Sequence, residues 1–379
     1  MRKISLRALV RASIVLAALP AVAFAAGEQT VKIGFSSPMT GAQAPAGQDN
    51  ANGLKMAIAE LNAKGTMVGA SKVNFELLVE DDQGDPKSGV QAAQKLVDAG
   101  VKAVIGPYNS GVAIPASRVY NDAGIVMATV GSNPKITLQK FPYVFRIGAN
   151  DSQLGGKMAL YAAKELKLKK ITVIDDRTAY GTGVVDEFIK AAKGAGMTIV
   201  SREYTNDKAT DFMSILTTTK AKNPDAIFYG GYFAQAATMK RQMKQLGLQA
   251  YLLGGDTICN AEMGKLTGDA MDDRVYCTQG GSLLEAQTAG KTFSDNYQKL
   301  YGSKPLTYAV SFYDGMMLVA DAMQKAKSVE PKQYAPVLAA INHDGVAGNY
   351  SYDKNHDMKS SPVTVFDFRN GEPHPLTSY

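Results

Sequence analysis

Short apolar runs alternate with segments of helical period along most of this chain, and that alternation predicts parallel strand–helix units. Residues 31–35 read as a strand. Residues 50–62 place Leu54, Ile58 and Leu61 on one helical face, while Val73, Phe75, Leu77 and Val79 alternate as strand residues do. A helix is predicted to start at Asp85-Pro86, with Asp as N-cap and Pro at the first helical position, and to stop at Gly100. Residues 101–105 and 125–129 follow as strands, with a helix over residues 112–121 between them. The pattern begins again beyond Tyr143-Val144-Phe145-Arg146, with a helix over residues 154–166, a strand over 171–174 and further pairs through Tyr229. Two series of similar size, with no Pro/Ser-rich linker between them, predict an α/β fold of two lobes facing each other across a cleft. In open α/β sheets ligands sit beyond the carboxyl ends of the strands, where helix starts offer free N–H groups.

The first residues stand apart from this pattern. Arg2, Lys3, Arg7 and Arg11 precede an apolar run over residues 14–24 that ends in small residues, with Ala23 and Ala25 in a small-x-small arrangement. These are the marks of a secretory signal peptide over residues 1–25, and the run is too short and too rich in Ala to predict a permanent span. No Cys follows the cleavage point, so a protein free in an exported compartment is expected rather than a lipid-anchored one.

Export changes how charge and cysteine are read. Four of the 41 Lys and Arg belong to the leader, leaving 37 against 35 Asp and Glu, and so small an excess predicts neither nucleic acid nor an anionic membrane as partner. Cys259 and Cys277 are an even pair in an oxidising compartment and are expected to form a disulfide, the alternative being two buried thiols. His343, His356 and His374 lie near the C-terminus without metal-ligand spacing, so neither metal nor cofactor is expected. With no His elsewhere, and Asp titrating below neutrality, ligand affinity is expected to change little between pH 6 and 8. There is no G-x-S-x-G elbow, G-x-G-x-x-G or P-loop, so the chain does not read as an enzyme.

Four strand-end loops carry polar or small residues: 106–111, 129–134, 229–232 and 254–257. Ser110 and Ser132 stand at predicted helix starts, where a hydroxyl and neighbouring N–H groups would grip a carboxylate or simply cap the helix. Asp256, after Gly254-Gly255, suits a ligand ammonium or a self-closed turn. Tyr180 and Tyr232 are placed to cover a ligand or to pack half-buried.

Taken together, Ile33-Gly34, Met39-Thr40-Gly41, Glu80-Asp81-Asp82 with Asp85-Pro86-Lys87, Val104-Ile105-Gly106 leading to Ser110, Tyr180-Gly181 and Phe228-Tyr229-Gly230-Gly231-Tyr232 resemble, in order and spacing, the periplasmic leucine/isoleucine/valine-binding proteins of ABC transporters. The resemblance covers nearly all of the chain beyond the leader. It implies a type I periplasmic binding fold, each lobe a mainly parallel sheet flanked by helices, with three hinge crossings near residues 148–150, 279–282 and 348–350. The lobes would comprise residues 26–148 plus 282–349 and residues 149–281 plus 350–379.

The resemblance also implies a monomer that holds an amino acid, branched-chain or related, and hands it to a membrane permease. Ser110 matches the serine that takes the ligand carboxylate, and Ser132 a threonine that serves carboxylate and ammonium. The carbonyl of Val130 or Gly131 would accept from the ammonium, and Asp256 stands where the branched-chain binders carry Glu. Tyr180 and Tyr232 match aromatic cleft residues of the second lobe. Departures bear on the side-chain pocket: Ala46 replaces a cleft Tyr, and Tyr108 and Asn109 replace a Leu-Cys pair whose disulfide partner position is here near Gly84. Such departures alter the volume of the side-chain pocket more than the grip on the amino-acid head group, so they bear on the branched-chain preference. A small amide, urea or an aromatic or organic acid, as related two-lobed domains sense, is the alternative ligand.

Overall fold

The computed structural model describes residues 27–379. The expected leader lies outside the described residues. Among those described, no helix is long and apolar enough to cross a membrane.

The first sheet is built from β1 (Glu28–Ser37), β2 (Met67–Val68), β3 (Ser71–Asp81), β4 (Ala103–Ile105), β5 (Val126–Thr129) and β6 (Val144–Arg146), in the order β2-β3-β1-β4-β5-β6. All its pairings are parallel except the short β2 against β3. The second contains β7 (Lys170–Asp175), β8 (Thr198–Tyr204), β9 (Ala226–Gly230), β10 (Tyr251–Gly254) and β11 (Val275–Gly280). After a small ladder of β12 (Asn342–Asp344) and β13 (Asn349–Ser351), the chain returns to it as β14 (Val363–Arg369) and β15 (Glu372–Ser378). Its order is β15-β14-β11-β10-β9-β7-β8, with β14 and β15 antiparallel.

Sequence and structure agree where the signal is local. Every residue of β4, β5 and β9 is buried, as expected of strands covered by helices on both faces. The helix Pro86–Asp98 starts as its sequence predicts, with the Asp85 carboxylate accepting from the Ser88 N–H. The first helix, by contrast, runs over Ala44–Lys64 and so begins six residues before its apolar period does. Pro45 opens its first turn, and Gly47 lies so close to the Pro38 carbonyl that a Cβ there would clash, a tertiary packing reason that periodicity does not record.

Helix Ala309–Ala326 packs along Ala44–Lys64, burying Phe312, Met316, Val319 and Met323. Cys259 and Cys277 are bonded, with Cα atoms 5.3 Å apart, and tie the turn after β10 to β11. Gly148, Gly280, Gly281, Ala347 and Gly348 line one small cavity between the sheets. The Ser282 N–H donates to the Ala347 carbonyl there.

Candidate functional site

The carboxyl ends of β4, β5, β7, β9 and β10 point into one cleft, and the loops that leave them carry the candidate residues. Gly106, at φ +124°, lets the first loop turn directly over β1, where a Cβ would meet the Ser36 carbonyl at 2.4 Å. Tyr108, Asn109, Ser110, Ser132, Tyr180, Tyr232 and Asp256 are each between 1% and 6% exposed, so the cleft is closed over them.

Asp256 is the centre of one cluster. Tyr180 Oη donates to Asp256 Oδ1 at 2.8 Å, and Tyr308 Oη donates to Asp256 Oδ2. The first of these contacts requires Gly255, because a Cβ there would lie 2.5 Å from Tyr180 Oη. Thr257 Oγ1 donates to the Gly231 carbonyl at 2.6 Å and lies 3.0 Å from Tyr180 Oη. The rings of Tyr108, Tyr180, Tyr232 and Tyr308 pack around the carboxylate with centroids 5.4 to 6.3 Å apart. Burial raises Asp256 against the opposing effect of the two phenol donors, and the same burial lifts all four phenols well above their usual range.

The serines form the second cluster. Ser110 Oγ accepts from the Asn133 N–H at 3.2 Å rather than capping its own helix, Ser110–Asp122. Ser132 does not start a helix, contrary to the sequence expectation: the next one is Lys135–Leu138, and it is Asn133 Oδ1 that accepts from the Lys135 N–H. Asn133 Nδ2 donates to the Ala179 carbonyl at 2.7 Å, linking the loop after β5 to the helix that carries Tyr180. Asn109 Nδ2 donates to Gln43 Oε1 at 2.7 Å, and Val130 is buried beside Gly131.

Residues without local sequence signals hold these groups in place. Arg146, fully buried, donates from Nη1 to the Gly131 carbonyl, from Nη2 to the Asn133 carbonyl at 3.1 Å and from Nε to Asp357 at 2.8 Å. The Gly131 carbonyl is thus already engaged, which makes the Val130 carbonyl the better placed of the two for a ligand donor. Asp49 accepts from the Leu306 N–H at 2.8 Å and the Ala309 N–H at 3.0 Å, fixing the backbone on either side of Tyr308.

The expectation that ligand affinity changes little between pH 6 and 8 rested on the lack of His near the site and on Asp titrating below neutrality, and the second of these premises is corrected here. Burial pushes Asp151 and Asp176 up to about 7 and Asp49 to about 6, so carboxyls bring titration into that window.

Comparison with known proteins bears on the family and the fold. The family model described as periplasmic binding protein matches residues 30–372. A Leu/Ile/Val-binding protein homolog of Brucella abortus is 32% identical over 349 residues, 90% of this chain and 91% of the relative. The crystal structure of a leucine-binding protein from Thermotoga maritima superposes with a TM-score of 0.85 at 28% identity, covering 92% of this chain and 98% of that one. An isoleucine-bound branched-chain amino acid transporter substrate-binding protein from Streptococcus pneumoniae does so at 0.82 and 26%, covering 92% and 100%. A two-sheet chain with its polar strand ends gathered into one closed cleft, matched over nearly its whole described length, belongs to the periplasmic binding protein family.

Proposed function

We propose that this protein captures an amino acid, branched-chain or related, in the periplasm and presents it to the membrane permease of an ABC importer. The observation that carries the reading is the buried Asp256 carboxylate, hydrogen-bonded by Tyr180 and Tyr308 from opposite walls of the cleft. A ligand ammonium meets that carboxylate and the Val130 carbonyl, while its carboxylate meets Ser110 and Ser132. Tyr180 and Tyr232 close over it. Lobes of residues 26–148 plus 282–349 and 149–281 plus 350–379 move about three crossings near 148–150, 279–282 and 348–350. A ligand touching both lobes binds the closed form better, and that difference shifts the open–closed equilibrium the permease reads. Binding without catalysis is part of this reading, and recovery of the ligand unchanged tests it.

A thermal-shift screen over amino acids and small organic acids is the direct experiment. A true ligand at 100 times its Kd adds about 2.7 kcal/mol of stability. The four phenols around Asp256 make the pocket more polar than a branched side chain requires. They favour, as second reading, a small amide, urea or an aromatic acid, and a screen answered by those and by no amino acid would establish it.

A further inference from the structure

Asp151 opens the helix Asp151–Lys164 just beyond β6. A carboxylate suits a helix N-terminus, yet this one turns inward: the residue is fully buried, and neither oxygen completes a hydrogen bond. A Cβ placed on Gly183 would lie 2.3 Å from Asp151 Oδ2 and 2.5 Å from Asn133 Nδ2. The two side chains therefore converge on the seam where Asn133 reaches the Ala179 carbonyl. The Asp151 N–H donates to the Ser132 carbonyl at 2.9 Å, which sets Ser132 beside the carboxyl; the Ser132 hydroxyl, although it completes no bond to it, is the first of the neighbouring groups whose effect opposes burial. The charges that face Asp151 are Arg146 from β6, Glu187 from the helix Ala179–Gly194 and Asp256 from the turn after β10. Arg146 is committed to Gly131, Asn133, Thr137 and Asp357 and gives Asp151 no hydrogen bond. An ionised carboxylate so placed is costly, and burial holds Asp151 up to about 7.

Resting on the amino-acid reading above, we propose that Asp151 is a specificity-determining residue of the ligand site, which works as the neutral acid and sets the group that Ser132 serves. An ionised Asp151 can only accept, so the Ser132 O–H is spent as a donor to it and a negative charge stands beside the ligand carboxylate. Neutral Asp151 has an O–H of its own. It donates that proton to Ser132 Oγ, and the Ser132 O–H is then free to donate to the ligand carboxylate. With the lobes apart, Asp151 is hydrated and titrates nearer the ordinary carboxyl range; closure over a ligand raises it. Between those two values binding draws one proton from solvent onto Asp151, so affinity falls as pH rises through that interval and levels off above it.

The test titrates L-leucine, whose own groups do not titrate between pH 5 and 8, into the full-length mature protein by calorimetry. Two buffers of different ionisation enthalpy at pH 6 are expected to reveal net proton uptake, and Kd is expected to rise about tenfold from pH 5.5 to 7.5, a tenfold change corresponding to 1.4 kcal/mol. Asp151→Asn, neutral and of the same shape, is expected to lose that slope and to keep the affinity seen at pH 5.5. Wild-type binding without proton uptake, or an Asp151→Asn protein that retains the wild-type slope, overturns the proposal. Should that variant fail to fold, the wild-type calorimetry decides alone. No binding of leucine or of any other amino acid at any pH would remove the amino-acid reading and this inference with it, whereas tight binding with a flat profile removes the proton linkage only.

Discussion

The Tyr308 hydroxyl and the Asp256 carboxylate meet from opposite sides of the molecule: Tyr308 precedes a helix packed around the first sheet, and Asp256 follows a strand of the second. Thr307 Oγ1 donates to the Cys259 carbonyl at 3.1 Å beside them, so two successive side chains of one segment clasp the turn after β10. Asp49 sets the position of that segment, and a residue of the first helix thereby contributes to the contact between Tyr308 and Asp256.

Replacing Asp256 with Asn keeps the shape and removes the charge. Hydrogen bonds to a charged group contribute about 1.5–3 kcal/mol, so Kd for an α-amino acid is expected to weaken roughly tenfold to a hundredfold or more. Ser110→Ala is expected to weaken amino acids and simple carboxylic acids alike, since it acts through the carboxylate. Calorimetry on both variants checks this pair, and an Asp256→Asn protein that binds amino acids normally would eliminate the ammonium assignment.

Tyr308→Phe removes the oxygen that reaches Asp256 and keeps the ring that packs, with centroids 5.8 Å apart, against Tyr108. Loss of one such bond across the cleft is expected to cost about 1.5 kcal/mol, roughly tenfold in Kd, with little change in the melting temperature of the ligand-free protein. Equal affinities for the two proteins would show that the contact does not stabilise closure.

Reduction of the Cys259–Cys277 bond, or Ser at both positions, is expected to lower stability by about 3 kcal/mol in urea denaturation, because the bond restricts the unfolded chain. Ligand binding is expected to survive. Two free thiols in protein taken from the periplasm would remove the basis of this expectation.

Stability itself is expected to depend on pH. Burial raises Asp49 and Asp82 to about 6 and Asp176 to about 7 in the folded state, above the ordinary 3.8 of the unfolded chain. Between those values the folded protein holds protons that the unfolded chain has released, so stability declines as pH rises from about 4 towards 7. Melting is expected at a higher temperature at pH 5.0 than at pH 7.5. The same melting temperature at both values would mean that these carboxyls are ionised in the folded protein.

Local signals made the βα alternation, the Asp85-Pro86 helix start and the strand-end loops legible before any coordinates. The Gly254-Gly255-Asp256 sequence even marked the position where a Tyr oxygen needs room, although it did not name the Tyr. What escaped the sequence depends on contacts between remote positions. Asp49 reaches a backbone N–H 257 residues away, Arg146 a carboxylate 211 away and Tyr308 one 52 away. No periodicity or short motif records such pairings. Ser132 was misplaced for a related reason: the polar loop looked like a helix start, but Asn133 and the buried Arg146 settle its backbone instead.

Strands β14 and β15 complete the second sheet on β11, although the helices Thr288–Tyr301 and Ala309–Ala326, packed on Ala44–Lys64, and Pro331–Ala339, packed on Ala309–Ala326, come before them in the chain. A nascent polypeptide lacking residues 363–378 would leave β11 as an open edge, its backbone groups unpaired and available to any other strand. Neither half of the molecule is a contiguous stretch that can mature alone during synthesis. Such an interleaved order of assembly makes C-terminal truncation a route to aggregation rather than to a smaller working domain.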